Sequence, residues 1–146
     1  MSEAGETFDK CGYACAAKFI SAELTQTLSR YMEYCVNQNS YIDNLNTEGN
    51  EKTDPTSRFS RYADPLIETI LADKLPEIEE IVGKELYPTY SYARVYMGED
   101  VLAAHVDRPS CEYSVTVNIA TIGHPWPIYV KKEESPQAQI LLEPGD

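Results

Sequence analysis

A histidine and an aspartate stand two residues apart, as His105-Val106-Asp107, in a segment whose composition is typical of a β-strand. Residues i and i+2 of a strand point to the same face, roughly 7 Å apart along the chain, so the imidazole and the carboxylate are expected side by side. These two donor types belong to the ligand set that holds non-haem iron(II). A short motif of this kind also occurs by chance, and a hydrogen-bonded His–Asp pair within a strand is the structural alternative.

The residues around this pair alternate with the period of two that strands require. Tyr90, Tyr92, Arg94 and Tyr96 are expected on one face of a first strand. Later strands are predicted over Val101–Val106, Glu112–Ala120 and Trp126–Val130, and from Gln139 onward, with turns over 97–100 and 122–125 and a polar hairpin connection over 131–137.

Upstream, the apolar residues recur at helical spacing instead. Ser21 is a candidate N-cap for a helix over Ala22–Val36, and a stretch rich in turn residues follows over 37–60. Asp64 and Pro65 then start a helix, and Pro76 starts a second short helix that Gly83 ends. Helices followed by strands predict an α+β fold. The 146 residues suit a single domain, with helical support over about 1–85 and a β-core over about 86–146.

The charge balance excludes some classes of partner. Twenty-four acidic residues against 12 basic ones leave a formal net charge of -12, which disfavours non-specific binding of nucleic acid or of an anionic membrane surface. No apolar run approaches the roughly 20 residues that span a bilayer, and the first ten residues lack a hydrophobic signal core. A cytosolic location is therefore expected, and the four cysteines are interpreted as reduced thiols, with a disulfide or redox switch as the alternative.

A compound pattern runs from Leu86 to Val130: an aromatic-rich strand, a Tyr-x-Gly turn at Tyr96, the His-x-Asp pair, a serine-led strand and a Trp-Pro-Ile-Tyr strand. Together with the final LLEPGD segment, it resembles the iron(II)/2-oxoglutarate-dependent dioxygenases of the prolyl-4-hydroxylase-like branch. The resemblance implies a double-stranded β-helix, or jelly-roll, core with the N-terminal helices packed on one sheet.

The same resemblance implies the site residues. His105 and Asp107 would bind Fe(II) and leave positions open for 2-oxoglutarate and dioxygen, with no catalytic residue beyond the metal ligands. Tyr96 corresponds to a tyrosine that lines the oxoglutarate pocket, and Asn118 and Thr116 are expected to face that pocket. The expected substrate is a prolyl or other amino-acid side chain in a peptide.

Other polar residues near the motif keep two interpretations. Arg108 either contacts substrate or braces the loop through Glu112, and Arg94 is either a structural salt-bridge partner or an anion binder. His124, in a Gly-His-Pro turn, is interpreted as a turn residue.

In the family, the third ligand is a distal histidine after the Pro-Gly-Asp turn, and a basic residue beyond it holds the far carboxylate of 2-oxoglutarate. The sequence ends at Asp146, before both, so the jelly-roll is expected to be incomplete at its C-terminus. An unpaired sheet edge would then favour a homo-oligomer. The alternative function is a non-catalytic jelly-roll binding or interaction module with a vestigial His-x-Asp pair. A cupin-like protein that binds another metal is a third option.

Overall fold

The structure is a computed structural model that describes residues 3–37, 59–98, 100–132 and 136–146, with the side chain of Phe59 left aside. The described residues form three helices and two small antiparallel sheets, which is compatible with the predicted α+β class. In chain order they are α1 (Glu3–Cys11), α2 (Ala22–Asn37), β1 (Phe59–Tyr62), α3 (Pro65–Val82), β2 (Tyr92–Val95), β3 (Ile128–Val130) and β4 (Ala138–Ile140).

Helix α2 begins where the sequence predicts. The backbone N–H of Leu24 donates to the Ser21 hydroxyl at 3.2 Å, which is an N-cap bond to the third helical residue. Glu23 lies in the first turn, where its bonds to its own backbone and to Ser21 lower the pKa of its carboxyl group. Leu28 and Cys35 are buried on the apolar side of the helix.

Helix α3 also begins at its predicted cap. The Asp64 carboxylate accepts from the backbone N–H groups of Leu66 at 3.0 Å and Ile67 at 3.4 Å. The prediction of two helices here is wrong, because α3 continues through Pro76 to Val82. Although a proline removes one helical hydrogen bond, the apolar residues on either side of it stay in phase on one stripe, so packing favours a single helix. The stripe consists of Leu71, Leu75, Ile78 and Val82.

Two elements have no counterpart in the sequence prediction. Helix α1 forms in a polar segment for which no helix was predicted, and it ends at Gly12, whose φ is +79°. Strand β1 lies in the stretch predicted as loop, and it forms by antiparallel pairing with β2, from Phe59 opposite Val95 to Tyr62 opposite Tyr92. Such a pairing is non-local, so local composition does not reveal it. The rest of that predicted loop, 38–58, lies outside the described residues.

The chain divides into two compact units, each assembled from separate segments. The first comprises Met1–Tyr31, Pro76–Leu86 and Val115–Asp146, and the second comprises Met32–Leu75 and Tyr87–Ser114. The first unit contains the β3–β4 hairpin, with Ile128 opposite Ile140. The second contains the β1–β2 pair and the His105–Asp107 motif.

In the first unit, the last residues are held by backbone hydrogen bonds. The Ile20 N–H donates to the Gly145 carbonyl at 3.0 Å, and the Gly145 N–H donates to the Asn118 carbonyl at 2.7 Å. Gly145 is buried with φ of +98°, and a Cβ there would lie 3.1 Å from the Ile20 carbonyl oxygen. Only glycine meets both requirements without strain.

In the second unit, an ion pair between a half-buried arginine and a buried aspartate lies beside the start of α3. The side chain of Asp64 is fully buried and lies 3.2 Å from Nε of Arg61. Another nitrogen of Arg61 donates to the Cys35 sulfur at 3.0 Å. Asp64 thus has two roles: it caps α3 and it is the negatively charged partner of Arg61 in β1.

The predicted strands over Val101–Val106 and Glu112–Ala120 are wrong, because the structure describes both segments and assigns no strand to either. Every residue from 101 to 110 is exposed. A strand exists through its hydrogen-bonded partner, and alternation in the sequence does not supply one. The two later strand predictions are confirmed in shorter form as β3 and β4, while the connection between them includes 133–135, which lie outside the described residues.

Among the helices formed by the described residues, none combines the length and apolarity needed to cross a membrane.

Candidate functional site

The His105 and Asp107 side chains lie together, as their spacing predicts, although their segment is not a strand. Nε2 of His105 is 3.5 Å from Oδ1 of Asp107, and the two side chains are 43% and 44% exposed. Val106 between them is 92% exposed. Both chemically active groups are therefore accessible to a ligand.

A backbone contact determines the tautomer of the histidine. Nδ1 of His105 lies 2.8 Å from the carbonyl oxygen of Ala103. Because a carbonyl can only accept, Nδ1 carries the hydrogen and donates it. In the neutral ring, Nε2 is then the nitrogen with the lone pair, and it is also the nitrogen that lies beside Asp107. Histidines that bind metals are commonly oriented by such a bond from their other ring nitrogen.

The carboxylate of Asp107 is oriented from its other oxygen. The Ser114 hydroxyl donates to Oδ2, which leaves Oδ1 on the side of the histidine. Two electron-pair donors at this separation repel unless a proton or a cation lies between them. The arrangement thus suits either a proton on Nε2 that is donated to Asp107 or a bound cation.

The distance between the two donors can be compared with what a metal requires. With metal–donor bonds of about 2.1 Å and an angle of 90–110° at the metal, the donors lie roughly 3.0–3.4 Å apart. The observed 3.5 Å is close to that range. His105 and Asp107 therefore fit two positions of a metal's coordination sphere. Across the described ranges, no group of three or more His, Cys, Asp or Glu side chains is close enough to hold a metal ion.

Tyr96, the predicted oxoglutarate-pocket residue, lies beside Arg94. The guanidinium carbon of Arg94 is 5.5 Å from the Tyr96 ring centroid and 5.4 Å from the Tyr92 ring centroid. The predicted alternation is thus confirmed for these three residues, which share one face of β2 and its extension.

Arg108, the predicted substrate contact, lies against a different tyrosine. Its guanidinium carbon is 5.8 Å from the ring centroid of Tyr90, which also packs on Tyr62 at 4.9 Å. A hydrogen bond with Cys111, together with burial, raises the pKa of Tyr90 to about 12. The loop after the motif therefore folds back onto the first predicted strand through Arg108 and Cys111.

Thr116 and Asn118 belong to the first unit, whereas His105 and Asp107 belong to the second. The Asn118 side-chain amide donates to the Leu142 carbonyl at 2.7 Å and to the Thr121 hydroxyl at 3.0 Å. In the structure, the Asn118 side chain therefore stabilises the C-terminal segment through its hydrogen bond to Leu142. Thr116 is exposed. Their role in a cofactor pocket stays a prediction. His124 is exposed next to Gly123, whose φ of +89° is typical of a turn.

Two contacts of the site were not expected from the sequence. Ser114 lies seven residues after Asp107, and no short motif joins the two. The bond between Nδ1 of His105 and Ala103 likewise depends on the local backbone path. The contact of Arg94 with two tyrosines could be expected from the sequence, because the Tyr-x-Arg-x-Tyr alternation places three side chains on one face of a strand.

No protein-family model, curated protein or solved structure matches the chain.

Proposed function

We propose that the protein is an iron(II)- and 2-oxoglutarate-dependent dioxygenase in which His105 and Asp107 are metal ligands. The observation that supports this most is the 3.5 Å approach of Nε2 to Oδ1 with both side chains exposed. The bond from Nδ1 to Ala103 leaves Nε2 as the electron-pair donor, and the bond from Ser114 leaves Oδ1 available. Each group of the pair is thus positioned by its own hydrogen bond.

The chain's residues would divide the work as follows. His105 and Asp107 hold the metal, which, when bound, supplies the oxidative chemistry with dioxygen and 2-oxoglutarate. Tyr96 lines the co-substrate pocket, and Arg108 contacts the substrate. The substrate is a prolyl or other amino-acid side chain in a peptide. The proposal includes a jelly-roll architecture and a cytosolic location.

Two measurements on the wild-type protein test this proposal. Fe(II) binding is measured by anaerobic equilibrium dialysis, and succinate formed from 2-oxoglutarate is measured by NMR. We expect His105→Ala and Asp107→Ala each to abolish both signals. The matched controls are His124→Ala and Asp73→Ala, which remove exposed residues of the same types and should leave both signals unchanged.

A non-catalytic interaction module is the second candidate, and one observation favours it. The Asp107 carboxylate accepts a hydrogen bond from Ser114 and lies against His105. These contacts also stabilise the conformation of an exposed loop. That loop presents Val101, Leu102 and Val106 to solvent. If the wild-type protein binds no Fe(II), the dioxygenase proposal fails and this candidate takes its place.

A further inference from the structure

The first unit has a groove of about 260 Å³, lined by residues of α1, of the segment 16–19 and of the second half of α3. All of the lining residues belong to that unit. Alanines, Phe19 and Ile81 supply its apolar surface. The volume is below the roughly 300–1,000 Å³ of pockets that enclose drug-sized ligands, so the groove suits a smaller occupant such as one long side chain.

One wall of the groove is held in place by the C-terminal segment. Lys18 has a φ of +56°, which is uncommon for a residue with a side chain. Its backbone N–H donates to Oδ1 of Asp146 at 2.9 Å, and the Ile20 N–H donates to the Gly145 carbonyl at 3.0 Å. A strained residue persists only where the surrounding structure fixes its conformation. Bonds within the protein therefore shape this wall, and the groove exists before a ligand enters.

The opposite wall carries negative charge. Glu77, Glu80 and Ile81 are spaced three and four residues apart, which places them on one face of α3. Both glutamates are exposed, and Lys18 adds one positive charge to the lining. Two carboxylates against one ammonium group leave an excess of negative charge, in a chain whose net charge is -12. The field of the groove therefore favours a cation.

We infer that this groove is a docking site for a long basic side chain of a peptide partner. Lysine and arginine bury their aliphatic stems along apolar surface while the charged head group stays near water. Phe19 and Ile81 offer the apolar surface, and Glu77 and Glu80 offer the counter-charge. The site is independent of the proposed oxygenase activity, since His105 and Asp107 belong to the other unit.

The test is an NMR titration of the ¹⁵N-labelled wild-type protein with a capped peptide that has one lysine between glycines. We expect saturable shifts of the backbone amides of Ala17, Phe19 and Ile81. A peptide with norleucine in place of lysine has the same aliphatic stem without the ammonium group and should bind several-fold more weakly. Added sodium chloride should weaken the lysine peptide, because salt screens exposed charges.

Charge variants give the inference a sign. Glu77→Gln and Glu80→Gln should each weaken the lysine peptide by roughly 1.5- to 5-fold, the range expected for one exposed ion pair. Lys18→Gln should strengthen it by a similar factor, because it removes a positive charge that repels the ligand. Glu85→Gln is the matched control: it removes an exposed glutamate of the same unit that does not line the groove, and it should bind as the wild type does.

A steric variant separates the groove from the general attraction of an acidic protein for basic peptides. Ala17→Leu adds bulk inside the groove and leaves every carboxylate in place. Since Ala17 is exposed, the variant should fold normally, which its amide spectrum checks. We expect it to lose binding of the lysine peptide.

Three results would overturn the inference: no shift at the groove amides of the wild-type protein, equal affinity for the norleucine peptide, or stronger binding in Glu80→Gln than in Lys18→Gln. Equal weakening in Glu85→Gln and Glu80→Gln would show attraction to net charge and not to this groove.

The two proposals fail separately. His105→Ala should bind the lysine peptide as the wild type does, and Glu80→Gln should still bind Fe(II). Loss of peptide binding in His105→Ala would contradict an independent docking site.

Discussion

At the residue scale, the candidate site is defined by how each functional atom is held. His105 is oriented through Nδ1 by the Ala103 carbonyl, and Asp107 is oriented through Oδ2 by the Ser114 hydroxyl. The two remaining atoms, Nε2 and Oδ1, lie 3.5 Å apart. Under the proposed function, Ser114 is a positioning residue for the pair.

Replacement of Ser114 tests this role. Ser114→Ala should weaken Fe(II) binding by roughly 10- to 100-fold, as is typical when the hydrogen-bond partner of a metal-binding carboxylate is removed. Fe(II) affinity is measured by anaerobic dialysis, and thermal unfolding is followed in parallel. Because Ser114 is exposed, the melting temperature should change little.

Ser110→Ala is the matched control, since Ser110 is an exposed serine of the same loop with no bond to Asp107. Equal Fe(II) affinity in the Ser114→Ala variant and the wild type would show that Asp107 needs no such support.

At the level of helices and strands, the sequence predicted the residues that cap helices and the glycine that ends α3. It did not predict which strands pair. Ser21 and Asp64 cap α2 and α3 as predicted, and Gly83 ends α3 with φ of +72°. A cap acts within one turn of chain, so local sequence contains the required information. The residues of β1 pair with residues of β2 that lie 30 to 36 positions away, so local sequence did not predict this strand.

Substitutions at three glycines compare two effects on stability, the strain of a positive φ and the close packing of neighbouring atoms. Gly98 has neither constraint, Gly83 has a positive φ with open space around its Cβ position, and Gly145 has a positive φ and backbone within 3.1 Å. Substitution by alanine should therefore destabilise the protein in that order.

We expect a change in the free energy of unfolding within about 0.5 kcal/mol for Gly98→Ala. The loss should be about 1–2 kcal/mol for Gly83→Ala and about 2–4 kcal/mol for Gly145→Ala. Urea unfolding followed by circular dichroism measures all three. A Gly145→Ala variant no less stable than Gly83→Ala would mean that the close packing around Ile20 relaxes at no cost.

At the scale of the whole molecule, the two units carry different parts of the predicted site. The metal-ligand pair, Tyr96 and Arg108 are in the second unit, whereas Thr116 and Asn118 are in the first. Both units contain a sheet of two strands, so each strand pairs on one side only among the described residues. Unpaired strand edges favour association with another chain.

Self-association through such an edge should depend on salt in a defined direction. Copies with a net charge of -12 repel each other, and added salt screens that repulsion, because the Debye length falls to about 10 Å at 0.1 M. In sedimentation velocity, the dimer fraction should rise with protein concentration and with sodium chloride. A monomer at every concentration and salt level would refute the predicted oligomer.

Local sequence was enough to predict a mixture of helices and strands, the starts of α2 and α3, and the approach of His105 to Asp107. Each of these depends on contacts within a few residues, which composition and spacing encode directly. Local sequence could not predict that β1 pairs with β2, that α3 runs through Pro76, or that the segments around the motif are not strands, because each depends on long-range packing. The same applies to the buried carboxylate of Asp64 beside Arg61. These outcomes depend on which distant segments meet, and the local pattern of a chain does not specify them.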